Sequence, residues 1–379
     1  MDGLSRQGRL SAAGQYDATL FVAALTLTAL GTLLVVSTTG KLASGLDAEA
    51  PLRELRHQLG LLSMGGLAFC VALKTPAEWL RKWAPVLAAF CVALLVGVAL
   101  FGKTTFGARR WFDLGFITIQ PSEFAKIGFA IYVAHSLARP SYQDIGMQRV
   151  LGPAALFLIM ALLLVKQPDV GSAVLLAALL VSMLVASGMG LKVLLLTAVA
   201  AGVGILGVIL LQSEKIARFV GWLYPEATRM GEGYQVYQAQ ILIGSGGLTG
   251  AGLGSGLNHG FGYLPQSAND FIFSVAAEEL GFVGVCCLVL LYAVLAVRGF
   301  AIAYRCRDEF ARYAAFAMTV LLVLPAWLHM AVNLGLLPTK GLVLPFVSYG
   351  GTAMAASGAA LGILERLHLE ATAVTEGAA

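Results

Sequence analysis

Runs of about 20 apolar residues with almost no charge recur along this chain, and they limit its fold more than any motif does. Backbone amides inside a bilayer find no water, so such runs become helices that satisfy their own hydrogen bonds. The runs read as Ala18–Gly40, Gln58–Leu73, Trp83–Gly102, Pro121–Ala138, Val150–Val165, Val170–Leu191, Val193–Ser213, Phe271–Val297, Tyr313–Leu334 and Phe346–Leu364. Hydrophobic residues make up 58% of the 379 and charged ones 12%, about half the charge of a soluble domain. The expectation is an all-α polytopic membrane protein of about ten transmembrane helices, forming one domain over 1–379. A long extracytoplasmic loop, 213–269, separates the seventh and eighth helices, and the polar tails 1–16 and 367–379 are cytoplasmic.

Several function classes drop out. A net charge of +4 without a basic run gives no reason to expect nucleic acid. The polar first sixteen residues lack the pattern of a cleaved signal peptide, so the first span acts as the membrane signal. The five cysteines lack metal spacing and read as small hydrophobes, and the five histidines show no ligating motif. The stretch Gly244–Gly256 does not fit a nucleotide cradle; its glycines suit turns or close backbone approach. Tyr234–Gln240 has the aromatic and amide character of an interfacial helix.

Orientation rests on Arg298, Arg305, Arg307 and Arg312 between spans eight and nine, which place that loop and both termini in the cytoplasm. Lys41, Arg53, Arg56, Lys103, Arg109, Arg110, Lys166, Lys215, Arg218, Arg229 and Lys340 then fall outside. An anionic substrate on that face explains so many outer cations.

Carboxylates at the edge of a bilayer are expensive and usually functional. Asp270 stands at the mouth of the apolar run Phe271-Ile272-Phe273. Spacing alone leaves helix capping and catalysis level; charges embedded in neighbouring spans favour catalysis. Glu278 and Glu279, two turns on, cannot share the face of Asp270 and suit helix packing. Glu123 and Lys126 are three apart on one helix, either an internal ion pair that neutralises itself or a pair facing a water-filled cavity; the cost of charge against lipid favours the second. Lys166 and Asp169 flank Pro168 at the end of the fifth span, where snorkelling to the interface also explains the lysine. Arg110, beside Trp111, and Arg218 offer guanidinium forks for phosphate or simply anchor the interface. Lys340 lies in a Pro/Gly-rich break, Gly335–Gly351, which membranes tolerate where it lines a cavity.

Four motifs in order, GARRWFDLG…QPSEFAK, KQPDVGSA, GEGYQVYQAQ…LPQSANDFIFSVAAEELG and GLLPTKGLVLPFVSYGG, resemble the SEDS family of bacterial cell-wall glycosyltransferases. Pro338-Thr339-Lys340-Gly341 is closer to the division branch (FtsW-like) than to the elongation branch (RodA-like). The resemblance implies a peptidoglycan polymerase of the bacterial inner membrane, with its active site facing outward. Its substrate would be lipid II, and its partners a class B penicillin-binding protein and other divisome proteins. It also implies that Asp270 is the catalytic carboxylate and that Arg110, Glu123, Lys126, Asp169, Arg218 and Lys340 bind substrate. No tightly bound cofactor is expected; a divalent cation, magnesium or manganese, is an optional bridge across the substrate pyrophosphate. Division members usually carry an acid and a histidine between Pro265 and Asp270; this chain has Gln266-Ser267-Ala268-Asn269. The rival readings are a lipid II flippase, a scaffold for a transpeptidase, and an elongation- or sporulation-type polymerase.

Overall fold

The computed structural model describes residues 16–43, 50–105, 108–113, 115, 118–138, 146–210, 213–256 and 264–376. Arg6, Arg9, Arg139, His259 and most of the N-terminal tail lie outside them, as do the side chains of Lys41, Arg53 and Lys215. A helix occupies each of the ten apolar runs: α1 (Ala18–Ala43), α2 (Ala50–Lys74), α3 (Ala77–Phe101), α4 (Pro121–Leu137), α5 (Gly146–Lys166), α6 (Val170–Ala186), α7 (Leu191–Leu210), α10 (Ile272–Arg305), α11 (Glu309–Asn333) and α12 (Gly351–Glu376). Two further helices, α8 (Ser213–Leu223) and α9 (Tyr234–Ser245), lie in the long segment between α7 and α10. Among the described residues, α1, α3, α5, α10 and α11 are each long and apolar enough to cross a bilayer. The chain is a multi-pass membrane protein.

Charge and burial explain why other helices look less membrane-like. α4 opens with Glu123 and Lys126 and is the central helix: Phe129, Ala130, Val133 and Ala134 are fully buried against the surrounding spans. A helix screened from lipid needs no uniform apolar surface. α12 packs on α2 so closely that a Cβ on Gly358 would lie 2.2 Å from the Gly65 carbonyl oxygen. Small residues do this work in membranes, where burial away from water no longer separates one apolar surface from another.

Three features depart from the expectations. Between α3 and α4, three short strands form a small antiparallel sheet, order β1 (Lys103–Thr105), β2 (Ala108–Asp113), β3 (Thr118–Ile119). The expected C-terminal tail is largely a continuation of α12, which runs to Glu376. And α10 is broken at Gly281, whose φ of 67° is left-handed. The glycine-rich run lies in that break: Ala251 and Gly252 amides donate to the Glu278 and Glu279 carbonyls at 2.9 and 3.0 Å, and Phe282 donates to Gly247 at 2.9 Å. The groups a kink leaves orphaned are satisfied by a neighbouring backbone. Glu278 and Glu279 are buried beside this junction, with Glu279 accepting from Ser37 Oγ at 2.8 Å.

The segment 335–350 between α11 and α12 has no regular structure and is held by side chains. Tyr292 Oη donates to the Pro345 carbonyl at 2.5 Å, and Ser348 Oγ donates to that of Asn269 at 2.8 Å. Tyr349 N donates to the Ala268 carbonyl at 3.0 Å. These bonds lay the segment against the turn that carries Asp270. At the opposite helix ends, Arg298 Nη2 clamps Asp17 Oδ2 at 2.5 Å, and Asp17 N donates to Glu365 Oε2 at 3.1 Å.

Candidate active site

One cavity of about 1060 Å³ opens among α2, β2, α4, α6, α8, α9, the turn 265–271, α11 and the 335–350 segment. Asp270, Arg110, Glu123, Lys126, Asp169, Arg218 and Lys340 all line it. Charged side chains spread from residue 110 to residue 340 therefore converge, although they are not equally available.

Asp270 is not a helix cap. The N-cap of α10 is Phe271, without side-chain capping, and the Ser274 amide instead donates to Asn333 Oδ1 at 3.2 Å. No hydrogen bond reaches the Asp270 carboxylate from any described residue. It rests against the backbone of Gly341, where a Cβ would stand 3.3 Å from Oδ2. Burial pushes its pKa up to about 6, against the pull of the Arg110 and Arg218 charges. A carboxylate with no hydrogen-bond partner among the described residues, facing a cavity and more basic than usual, is equipped to take a proton.

Arg110 and Arg109 alternate across β2. Arg109 is exposed and donates to Thr104 Oγ1 at 3.0 Å. Arg110 turns inward: its Nε donates to the Gln167 carbonyl at 3.0 Å and its Nη2 to that of Pro168. That leaves three of its five N–H groups for a ligand. Glu123 and Lys126 pair at 2.8 Å while both line the cavity, so the internal-pair and cavity-facing readings hold together. Asp169 is the N-cap of α6, Oδ1 accepting from Ser172 N at 3.1 Å and Oδ2 from Ser172 Oγ at 2.8 Å. Its carboxylate is occupied, and it shapes the wall. Lys166 is exposed and forms no pair with it, consistent with snorkelling.

Arg218 projects from α8, and Lys340 comes from the 335–350 segment. Lys340 has no carboxylate partner among the described residues, and burial lowers its pKa. Two cations are thus uncommitted, a third is half committed and a fourth is paired.

Sequence reasoning passed over His57 and Tyr349. They stack with ring centroids 5.6 Å apart, and Tyr349 Oη is 2.9 Å from His57 Nδ1, at the cavity wall. They are 292 residues apart in sequence, so no local pattern joins them. Among the described residues no group of three ligating side chains could hold a metal.

The family model described as "Cell cycle protein", covering FtsW, RodA and SpoVE, matches residues 17–373. The probable peptidoglycan glycosyltransferase FtsW of Xanthomonas oryzae is 36% identical over 98% of this chain and 77% of its own length. The peptidoglycan glycosyltransferase MrdB of Escherichia coli is 35% identical over 93% of each chain. A chain from a peptidoglycan synthase complex, in a structure concerned with coordinating polymerization and crosslinking, superposes with a TM-score of 0.78 at 28% identity, covering 94% of this chain and 98% of that one. Rod shape determining protein RodA of Thermus thermophilus superposes with a TM-score of 0.69 at 28% identity, covering 93% of this chain and 96% of that one. With matched sequence running from Asp17 to Ala373 and a shared fold over nearly the whole chain, this protein belongs to the FtsW/RodA/SpoVE family of cell cycle proteins.

Proposed function

We propose that this protein is an inverting peptidoglycan glycosyltransferase that polymerises lipid II into β-1,4-linked glycan strands. The observation that carries the reading is the Asp270 carboxylate, without a hydrogen-bond partner among the described residues and facing a cavity it shares with Arg110, Arg218 and Lys340. Relatives bearing the name peptidoglycan glycosyltransferase support it.

The chemistry follows from the residues. Asp270 removes the proton from the GlcNAc 4-hydroxyl of one lipid-linked substrate, and that oxygen attacks C1 of the other from the face opposite its pyrophosphate. The O4–C1 bond forms as the C1–O–P bond breaks, inverting C1, and the undecaprenyl pyrophosphate departs with the bonding pair. A pyrophosphate leaving group needs charge stabilisation rather than a strong acid, and Arg110, Arg218 and Lys340 supply it. Lys126, already paired with Glu123, tunes the field on that wall. With a pKa near 6, Asp270 is roughly nine-tenths ionised at pH 7 and more basic than an ordinary carboxylate. A divalent cation would arrive with the substrate pyrophosphate.

In this reading the ten apolar helices all span the inner membrane, the segment from α8 to the start of α10 is extracytoplasmic, and the active site faces the periplasm. A class B penicillin-binding protein crosslinks the product, with other divisome proteins alongside. Pro338-Thr339-Lys340-Gly341 carries the septal assignment.

Purified protein incubated with lipid II should give glycan strands on a gel, and Asp270→Asn should keep its thermal midpoint or raise it yet give none. Strands from that variant at near the wild-type rate would reject the assignment. Fluorescent lipid II in liposomes separates transport: translocation without polymer would support the flippase reading instead.

A further inference from the structure

α11 carries two buried polar side chains one helical turn apart, His329 (1% exposed) and Asn333 (0%), and neither lines the cavity. His329 Nδ1 lies 2.6 Å from the Leu342 carbonyl oxygen. A carbonyl only accepts, so Nδ1 carries a proton, and in the neutral ring Nε2 is then bare. That Nε2 is buried with no hydrogen-bond partner among the described residues.

Asn333 is used on both sides of its amide. Its Nδ2 donates to the Asp270 carbonyl at 3.1 Å and to the His329 carbonyl at 2.9 Å. Its Oδ1 accepts from Ser274 N at 3.2 Å and Ser274 Oγ at 2.7 Å. Asn333 therefore grips the mouth of α10, where Asp270 sits. His329 grips the 335–350 segment at Leu342, whose own amide donates to the Lys340 carbonyl at 2.8 Å. Gly341, between the two, is the residue against which the Asp270 carboxylate rests.

We propose that His329 and Asn333 are positioning residues that, from a single turn of α11, hold the turn bearing the base Asp270 against the Gly341 backbone, next to Lys340 in the chain. Both grips sit on one rigid helical turn, whereas the turn 265–271 and the 335–350 segment lack regular ladders of their own. The inference rests on the glycosyltransferase reading above and adds the frame to which the reacting groups are tied. Because neither side chain touches the cavity, losing one grip lowers kcat and leaves KM for lipid II unchanged. A misplacement of about 1 Å costs on the order of 100-fold in rate.

The test compares His329→Asn, His329→Gln and His329→Phe in lipid II polymerisation, each checked for its thermal midpoint. The Asn amide nitrogen falls near the position of Nδ1, that of Gln near Nε2, and Phe fills the ring volume without a donor. His329→Asn should stay within a few-fold of the wild-type kcat, while Gln and Phe lose on the order of 100-fold at unchanged KM. Packing alone predicts the reverse order, Phe best and Asn worst, and that order would overturn the proposal. Spectra of 15N-histidine-labelled wild-type protein should show His329 neutral and protonated at Nδ1. A proton on Nε2, or on both nitrogens, would overturn the proposal whatever the activity. A wild-type protein that makes no glycan overturns the functional reading together with the frame, and that failure appears in the polymerisation arm alone.

Discussion

At the residue scale, the site turns on how two carboxylates near helix starts differ. Asp169 and Asp270 look alike in sequence, each just ahead of an apolar helix. Asp169 spends both oxygens on Ser172, whereas the equivalent duty at α10 is taken by Asn333 from another helix. Asp270 is thereby left to the cavity. Burial raises its pKa from 3.8 to about 6, so the fraction able to act as base grows as pH rises through 6 and levels off above. The polymerisation rate should show that acid limb, and a flat profile from pH 5 to 8 would remove Asp270 as the base. Stability runs the other way. The fold holds the proton more tightly than the unfolded chain, so stability falls as pH rises from about 4 to 6. Asp270→Asn should therefore unfold at a higher temperature than wild type at pH 7.5 and at a similar one at pH 4. The difference is at most roughly 3 kcal/mol. Arg110 offers a second residue-level prediction. Arg110→Lys keeps the charge but cannot hold both the Gln167 and Pro168 carbonyls, and kcat/KM should fall about tenfold or more. Arg109→Lys, on the exposed side of β2, should stay within about twofold.

At the element scale, the decisive feature is the break in α10. Residues 244–256 are legible in the sequence as glycines awaiting a close approach, but the partner of that approach is not. The structure shows it to be the kink at Gly281, where a Cβ would lie 2.2 Å from the Gly250 nitrogen, in a conformation that L side chains rarely adopt. Gly281→Ala suffers both the left-handed strain and the collision, which together cost about 1–3 kcal/mol or more. Since the segment ahead of the break carries Asp270, the variant should lose polymerisation by at least about tenfold as well as thermal stability. Wild-type activity in Gly281→Ala would show that the break does not set the site. The outer sheet was not legible for a related reason. Its strands are two to six residues long and carry no strict alternation, so only pairing with one another defines them.

At the scale of the whole molecule, α4 at the centre and the segments 265–271 and 335–350 at one end form the cavity wall. Of the cations that the sequence assigns to the outer face, Arg110, Arg218 and Lys340 line that cavity. The branch of the family is a whole-cell property. Identity to an FtsW and to an MrdB is nearly the same, 36% and 35%. Expression in strains depleted of one or the other enzyme should restore septation and not rod shape; the opposite result would move this protein to the elongation branch.

The helices, their order and the chemical types at the site were determined by the sequence alone, because an apolar run in a bilayer has one way to satisfy its backbone. Which charges are free was decided only in three dimensions. Arg110 is bound to Gln167 and Pro168, Lys126 to Glu123 and Asp169 to Ser172, while Asp270, Arg218 and Lys340 remain open to a ligand. Some of those partners are neighbours along the chain and others lie far off, and helix packing alone selects among them. The polar frame of His329 and Asn333 is invisible for the same reason. One histidine and one asparagine in an apolar run carry no signal until the carbonyls they hold are brought within about 3 Å.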